Sequence, residues 1–213
     1  MFFPYKDDNP RVLFPYITYT LITINTLIFL IFTYVSFLTT NTNLFYTFGF
    51  IPNSFNLFSI LSSMFIHGGL SHILSNMWFL YIFGDNIESI LGHIKFLLFY
   101  ILCGFGAAFS QYIIDPNSSI PMVGASGAIA GVLGAYMISF PKAKVHVFAF
   151  IIIFITTLIV PAQIVLGVWF FIQLSSGLNS LGIDTNGGVA WFAHIGGFIA
   201  GVGSIKYIQN YKI

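Results

Sequence analysis

The chain has 213 residues, of which 57% are hydrophobic and only 6% are charged, and its formal net charge at pH 7 is +1. So little charge over this length excludes a soluble domain, and no basic patch is present to bind nucleic acid. The composition indicates a polytopic membrane protein with room for six helices of about 20 residues each.

Six apolar runs predict an all-α membrane protein that is a bundle of six transmembrane helices. Residues 1–14 form a short N-tail, residues 15–209 the membrane domain and residues 210–213 a C-tail. The first run is too long for the core of a signal peptide, so we interpret it as a retained helix. The predicted spans lie near residues 15–38, 70–91, 94–114, 123–140, 146–173 and 189–209.

The first two spans are joined by residues 39–69, a long segment that is rich in aromatic residues and carries no charge. Aromatic residues favour the boundary between lipid and water. We therefore expect this loop to lie in the membrane interface rather than in water.

The basic residues predict the orientation of the bundle. With a cytoplasmic N-terminus, six spans place every Lys and Arg on the cytoplasmic side, where basic residues concentrate. The outer loops, 39–69, 115–122 and 174–188, contain no basic residue. Both termini are therefore predicted to be cytoplasmic, on the side of Lys6, Arg11, Lys95, Lys142, Lys144, Lys206 and Lys212.

Four polar residues share one depth in the predicted bundle. His72 and Asn76 lie in span 2, Ser126 in span 4 and His194 in span 6. All three of these spans run from outside to inside, which places the four residues about 5–12 Å below the outer end. Polar groups at membrane depth are energetically costly and usually functional. A serine and a histidine at one level suggest a nucleophile and its base.

The spacing of these residues favours acyl-transfer chemistry. His72 and Asn76 are four residues apart, so they face the same side of one helix and can donate to a single site. Ser126 opens its span, where free backbone N–H groups favour a developing negative charge. Gly124 and Gly127 leave room for a substrate backbone. A tetrahedral intermediate needs this combination of groups.

Small residues predict a close contact between spans 4 and 6. Gly127 and Gly131 form a small-xxx-small face on span 4, and Gly197 and Gly201 form another on span 6. Such faces let helix backbones approach closely in lipid.

A carboxylate to complete a catalytic triad is missing from the spans. None of the six Asp and Glu residues lies in the middle of a span, and Asp184, in an outer loop, is the one acid placed to come near His194. We therefore predict a Ser126–His194 dyad in which packing orients the imidazole ring.

Four motifs follow one another along the chain: His67-x4-His72-x3-Asn76, Gly84-x3-Glu88-x3-Gly92, Gly124-x-Ser126-Gly127 and Ala193-His194-x-Gly196-Gly197-Phe198-x-x-Gly201. In this order they resemble the rhomboid family of intramembrane serine proteases, in the compact six-helix form found in prokaryotes. The resemblance extends from about residue 45 to residue 204.

The resemblance implies a role for each reacting residue. Ser126 is the expected nucleophile, and His194 the expected base and then the acid for the leaving amine. His72, Asn76 and the backbone N–H of Ser126 are expected to form the oxyanion hole. Gly124 is expected to admit the substrate backbone.

The resemblance also implies structural roles. Glu88, with Gly84 and Gly92, corresponds to a hydrogen-bonding patch, and His67 is expected to brace the 39–69 loop. Span 5 and the 174–188 loop are expected to form the gate and cap for a substrate helix, with Pro161 bending span 5.

In some family members, a bulky aromatic residue four positions after the nucleophile packs against the catalytic histidine. This chain has Ala130 at that position. Another residue, from span 5 or span 6, is therefore expected to hold the ring of His194. We expect Trp78, Trp169 and Trp191 to serve as packing or interface residues rather than as substrate contacts.

The expected function is an intramembrane serine endopeptidase that cuts the transmembrane segments of other membrane proteins near the outer face. Its partners are then transmembrane protein substrates and membrane lipid, with no cofactor, metal or nucleic acid. The short termini suggest a prokaryotic cell membrane, with the site opening outward. One alternative is a catalytically silent relative that binds membrane-protein helices. A small transporter is a weaker alternative, because neither repeat symmetry nor charges along a path are visible.

Overall fold

The computed structural model describes residues 2–39, 44–151, 154–181 and 189–210. Within them the chain is mostly helical, with one small sheet and a short 3₁₀ turn at Pro52–Ser54. The helices are α1 (Tyr16–Thr39), α2 (Leu44–Phe48), α3 (Leu57–Ser63), α4 (Leu70–Leu91), α5 (His93–Ile114), α6 (Ser126–Ser139), α7 (Ala162–Ser180) and α8 (Trp191–Asn210). The strands are β1 (Phe2–Asp7), β2 (Lys144–Ile151) and β3 (Phe154–Pro161).

Three of the described helices are long and apolar enough to cross a membrane, namely those at Tyr16–Leu38, His93–Ile114 and Ala162–Ser180. The helix α6 is equally apolar but has 14 residues. The helices α4 and α8 are long enough, with 22 and 20 residues, but are more polar. Each of the six predicted spans overlaps one of these six helices.

The fifth predicted span, near 146–173, is wrong in its first half. Residues 144–151 and 154–161 form the paired antiparallel strands β2 and β3, and the helix α7 extends from Ala162 to Ser180. Together these strands are rich in Val, Ile, Thr and Phe, which favour strands. Pro161 does not bend a helix; it directly precedes α7, where its fixed φ and missing N–H suit a helix start.

Part of the N-tail, Phe2–Asp7, forms the strand β1 and completes an antiparallel sheet with the order β1-β2-β3. The expectation of an all-helical chain omitted this sheet. The strand β1 lies along α4. The indole N–H of Trp78 donates to the carbonyl of Pro4 at 2.8 Å, and the amide of Asn86 donates to Asp7 at 3.1 Å. The sheet therefore joins the start of the chain to the segment between α6 and α7.

The helix α6 is the centre of the bundle. Ten consecutive residues, 127–136, are buried, and α4, α5, α7 and α8 all pack against it. A helix that is apolar on every side is stable only in such a position.

The backbones of α6 and α8 touch along the glycines that the sequence singled out. A Cβ atom on Gly197 would lie 1.9 Å from the carbonyl oxygen of Gly127. A Cβ atom on Gly201 would lie 2.0 Å from the carbonyl oxygen of Gly131. No side chain fits at either position. We call this contact the glycine seam.

A buried carboxylate fastens the first helix to α4. Glu88 is fully buried and accepts hydrogen bonds from the backbone N–H groups of Ile17 and Thr18, at 2.9 and 2.8 Å, at the start of α1. The negative charge therefore caps the positive end of that helix. A Cβ atom on Gly84 would lie 3.1 Å from Thr18, and Gly92 ends α4 with a φ of +77°.

We expect Gly201→Ala to destabilise the bundle by about 3 kcal/mol, because the new methyl group meets backbone that has no room to move. Thermal unfolding of the purified protein in detergent measures the effect. Gly203→Ala on the same helix is the matched control, since a Cβ atom there meets nothing within 4 Å. Equal unfolding temperatures for the two variants would contradict the glycine seam.

Asp7 makes the attachment of β1 dependent on pH. Burial raises the pKa of Asp7 to about 6, an effect that the hydrogen bond from Tyr136 opposes and the nearby Asp85 carboxylate reinforces. The folded chain therefore holds this proton more tightly than the unfolded chain. The stabilisation is complete below the ordinary pKa of 3.8 and declines as the pH rises through about 6.

We expect Asp7→Asn, which mimics the protonated acid, to raise the unfolding temperature at neutral pH. The gain is expected to shrink as the pH falls towards 4, measured by thermal unfolding across a pH series. Asp8→Asn is the control, because the hydrogen bond from His146 lowers the pKa of Asp8 and gives the opposite sign. A gain for Asp7→Asn that does not change with pH would contradict this account.

Candidate active site

A cavity of about 760 Å³ lies between α4, α6, α7 and α8 and the segment that leads into α6. Every residue to which the sequence assigns a reacting or substrate-binding role lines it: His72, Asn76, Gly124, Ser126 and His194. Three separate helices and the segment before α6 contribute them, so the fold brings together residues that are up to 122 positions apart, from His72 to His194.

Ser126 and His194 are in direct contact. The hydroxyl Oγ of Ser126 lies 2.8 Å from Nε2 of His194. Ser126 is the first residue of α6 and His194 lies in the first turn of α8. The backbone N–H of Ser126 is among the first four of its helix, which have no partner inside the helix.

The other ring nitrogen of His194 also has a partner. Its Nδ1 lies 2.7 Å from Oε1 of Gln173, a residue of α7 that is only 6% exposed. The expectation that packing orients the ring is therefore incomplete, because a hydrogen bond to α7 also holds it. Asp184, the acid considered for this position, lies outside the described residues.

Two tryptophans flank the same ring. The ring centroid of Trp169 lies 6.0 Å from that of His194 at an angle of 34°, and Trp191 meets it edge-on at 6.3 Å. Ala130 is fully buried. The aromatic packing that some family members place at that position is thus supplied here by α7 and by the start of α8.

Gly124 stands between His72 and the serine. Its φ is +118°, and a Cβ atom there would lie 2.6 Å from Nε2 of His72 and 3.7 Å from Oγ of Ser126. Both the conformation and the space therefore require glycine. The imidazole of His72 and the hydroxyl of Ser126 therefore both border the space beside Gly124.

Asn76 lies one turn below His72 on α4 and is buried. Its side-chain nitrogen donates to the carbonyl of His72 at 2.7 Å. An amide nitrogen carries two hydrogens, so the second one remains for a ligand in the cavity.

His67 connects the segment before α4 to the turn before the nucleophile. Its Nε2 accepts a hydrogen bond from the backbone N–H of Ala125 at 3.4 Å, and its ring meets that of His72 at 5.1 Å. The backbone N–H of Gly124 donates to the carbonyl of Ser63, at the end of α3, at 2.9 Å. The short helices of the first loop therefore support the position of Ser126.

The remaining residues that the sequence singled out lie away from the reacting atoms. Glu88 is near the opposite end of α4, beside His93 at 2.6 Å. Gly127, Gly197 and Gly201 lie in the glycine seam. Across the described ranges, no group of three or more His, Cys, Asp or Glu residues is placed to hold a metal ion.

Sequence reasoning missed Gln173, although a signal was present. It is a polar residue in the apolar run of α7, where an unpaired amide would be costly. It also follows Trp169 by four residues, so the two face the same side of the helix. A search for polar residues in every span, including those that run outward, would have found it.

Taken together, the cavity holds a hydroxyl in contact with an imidazole, and N–H donors beside that hydroxyl. A hydroxyl becomes a strong nucleophile when an adjacent base takes its proton. Donors aimed at a developing negative charge stabilise a tetrahedral intermediate. These are the groups that acyl transfer requires.

The model of one protein family, described as the rhomboid domain, matches residues 54–210. Among curated proteins, the chain is 34% identical over 143 residues to RHOMBOID-like protein 4 of Arabidopsis thaliana. It is 32% identical over 154 residues to the mitochondrial Rhomboid protein 1 of Saccharomyces cerevisiae, and 30% identical over 167 residues to Rhomboid protease GluP of Bacillus subtilis.

These alignments cover 67%, 68% and 76% of this chain, respectively. They cover only 32%, 40% and 29% of the three relatives. The chain therefore corresponds to well under half the length of the curated proteins that it matches.

Proposed function

Because the chain belongs to the rhomboid family, we propose that it is a serine endopeptidase. It cuts transmembrane segments of other membrane proteins near the outer face. The observation that carries the proposal is the 2.8 Å contact between Oγ of Ser126 and Nε2 of His194 inside a cavity. Apolar helices and family membership make the chain an integral membrane protein.

In the first step, Oγ of Ser126 attacks the carbonyl carbon of the scissile peptide while Nε2 of His194 takes the hydroxyl proton. The new C–O bond makes the carbon tetrahedral and leaves a negative charge on the former carbonyl oxygen. His194 becomes an imidazolium beside this charge.

The oxyanion is stabilised by donors on two elements. The backbone N–H of Ser126 comes from the start of α6, where the helix dipole also favours negative charge. Asn76 supplies its second amide hydrogen from α4, and His72 supplies a ring N–H. Such donors are most effective in a site from which water is largely excluded.

The intermediate then collapses and the peptide C–N bond breaks. His194 gives its proton to the leaving nitrogen, which departs as an amine and leaves an ester on Ser126. Water then attacks this ester, with His194 again acting as base. The peptide fragment is released as a carboxylic acid, and the serine hydroxyl is restored. No cofactor takes part in these steps.

The short length of α6 supports a site that lies below the outer surface of the bilayer. With six membrane-crossing helices and a cytoplasmic N-terminus, the start of α6 faces outward. Its 14 residues extend about 21 Å, whereas a hydrocarbon core is about 30 Å thick. Ser126 then lies below the outer surface, in a cavity that water enters from outside.

A substrate helix in lipid has all its backbone groups hydrogen-bonded internally, so its carbonyls are shielded from attack. It must unwind locally before Ser126 can reach one. The proposed substrates are therefore transmembrane segments that contain helix-weakening residues such as Gly or Pro in their outer part.

Ser126→Ala is expected to abolish covalent labelling by a fluorophosphonate, which reacts with an activated serine. Labelling is measured by in-gel fluorescence of the purified protein in detergent. Ser71→Ala is the matched control, because Ser71 lines the same cavity on α4 but is not paired with the imidazole. A wild type that stays unlabelled and cuts no transmembrane peptide would favour a silent relative that only binds helices.

Asn76→Ala is expected to lower kcat by about 100-fold with little change in KM, because it removes a donor that acts on the oxyanion. Steady-state cleavage of a fluorogenic transmembrane peptide provides both constants. Ser75→Ala is the control, since the hydroxyl of Ser75 donates to the same His72 carbonyl at 3.0 Å. Equal losses in the two variants would mean that Asn76 acts only by holding that carbonyl.

A further inference from the structure

We propose that Gln173 is a positioning residue that sets both the tautomer and the orientation of the His194 ring. The contact itself involves only these two side chains, and its kinetic consequence rests on the proposed protease function. Neither the sequence motifs nor the family comparison assigns Gln173 a role.

The geometry determines where the ring proton lies. The atom of Gln173 nearest to Nδ1 of His194, at 2.7 Å, is the carbonyl oxygen Oε1, which can only accept. The proton therefore resides on Nδ1. A neutral imidazole carries one N–H, so Nε2 keeps its lone pair and faces Oγ of Ser126 at 2.8 Å. This is the tautomer that a general base requires.

The opposite tautomer would be inactive. With the proton on Nε2, the ring would donate to the serine oxygen rather than accept its proton, and Nδ1 would face the Gln173 carbonyl lone pair to lone pair. Gln173 is only 6% exposed, so solvent does not readily replace its carbonyl oxygen as the partner of Nδ1. This contact therefore favours the tautomer with the proton on Nδ1.

The same face of α7 also fixes the plane of the ring. Trp169 lies one helical turn before Gln173, with its ring 6.0 Å from that of His194. Gln173 holds the edge of the imidazole at Nδ1, and the ring of Trp169 lies beside its face. The helix that bears neither the nucleophile nor the base thus orients the base.

A purely structural role for Gln173, as a bond between α7 and α8, predicts different behaviour. The two helices also pack through Phe170 and Phe198, whose rings stack at 4.4 Å, and through Trp169 and Phe198 at 6.1 Å. Removing the amide therefore leaves the helix contact in place. We expect Gln173→Leu to fold and to lose positioning of the ring specifically.

The test compares Gln173→Leu, Gln173→Glu and the matched control Gln163→Leu. The control makes the same chemical change on the same helix at an exposed position. The purified full-length variants are studied in detergent by three measurements: the unfolding temperature, kcat and KM across a pH series, and the ¹⁵N shifts of the labelled histidines. A His194→Asn sample assigns the His194 signals.

We expect Gln173→Leu to lower kcat about 10- to 100-fold with KM and unfolding temperature nearly unchanged, as the loss of one orienting hydrogen bond implies. Gln173→Glu restores an acceptor and most of kcat. It also moves the acid limb of the pH profile to higher pH, because a carboxylate stabilises the protonated ring. Gln163→Leu behaves as the wild type.

The histidine spectra separate this inference from the protease proposal, because they need no turnover. We expect His194 to carry its proton on Nδ1 in the wild type and in Gln163→Leu, and the other tautomer to appear in Gln173→Leu. A proton on Nε2 in the wild type, or an unchanged tautomer in Gln173→Leu, would overturn the role of Gln173. A wild type that shows the expected spectra but no protease activity would contradict the proposed function and not the role of Gln173.

Discussion

The backbone contact between α6 and α8 is the constraint on which the rest of the site depends. At Gly127–Gly197 and Gly131–Gly201 the two helices approach so closely that a single Cβ atom would lie within 2.0 Å of a carbonyl oxygen. Ser126 directly precedes the first of these glycines, and His194 lies three residues before Gly197. In lipid no hydrophobic driving force holds helices together, so close packing at small residues stabilises the bundle. The same contact therefore also sets the distance between nucleophile and base.

The other parts of the site are arranged around this fixed pair. The helix α4 adds donors from one side, the first loop supports the turn before Ser126 through His67, and α7 holds the imidazole ring through Gln173. Ser126, His194 and Gln173 are joined by two hydrogen bonds in this apolar surrounding, where a low dielectric strengthens such contacts. At the other end of the molecule, Glu88 fastens α1 to α4, and the sheet joins the N-terminal strand to the connection before α7. These contacts hold α1 and the segment before α7 to the rest of the bundle.

Local patterns in the sequence predicted the residues that line the cavity, because polar side chains stand out in apolar runs and small residues mark where helices touch. Features that depend on distant partners were missed. The strands β2 and β3 lie in a continuous apolar run whose pattern is equally compatible with a helix. The strand β1 pairs with residues more than 130 positions away. The role of Gln173 depends on its contact with His194, which lies on another helix. Ala130 did indicate that some residue must replace the missing aromatic ring, but the replacement, Trp169 with Gln173, required the packing of α7 against α8.

The most direct test of the account is to map the bond that the purified protein cuts in a model single-span substrate reconstituted with it in liposomes. The account predicts one main cut, located by mass spectrometry of the two fragments, in the outer part of the transmembrane segment and near its helix-weakening residues. It also predicts that the cut disappears in proteoliposomes made with the Ser126→Ala protein. A cut outside the membrane segment, or one that persists without the serine hydroxyl, would contradict the central claim that Ser126 and His194 form an intramembrane catalytic pair.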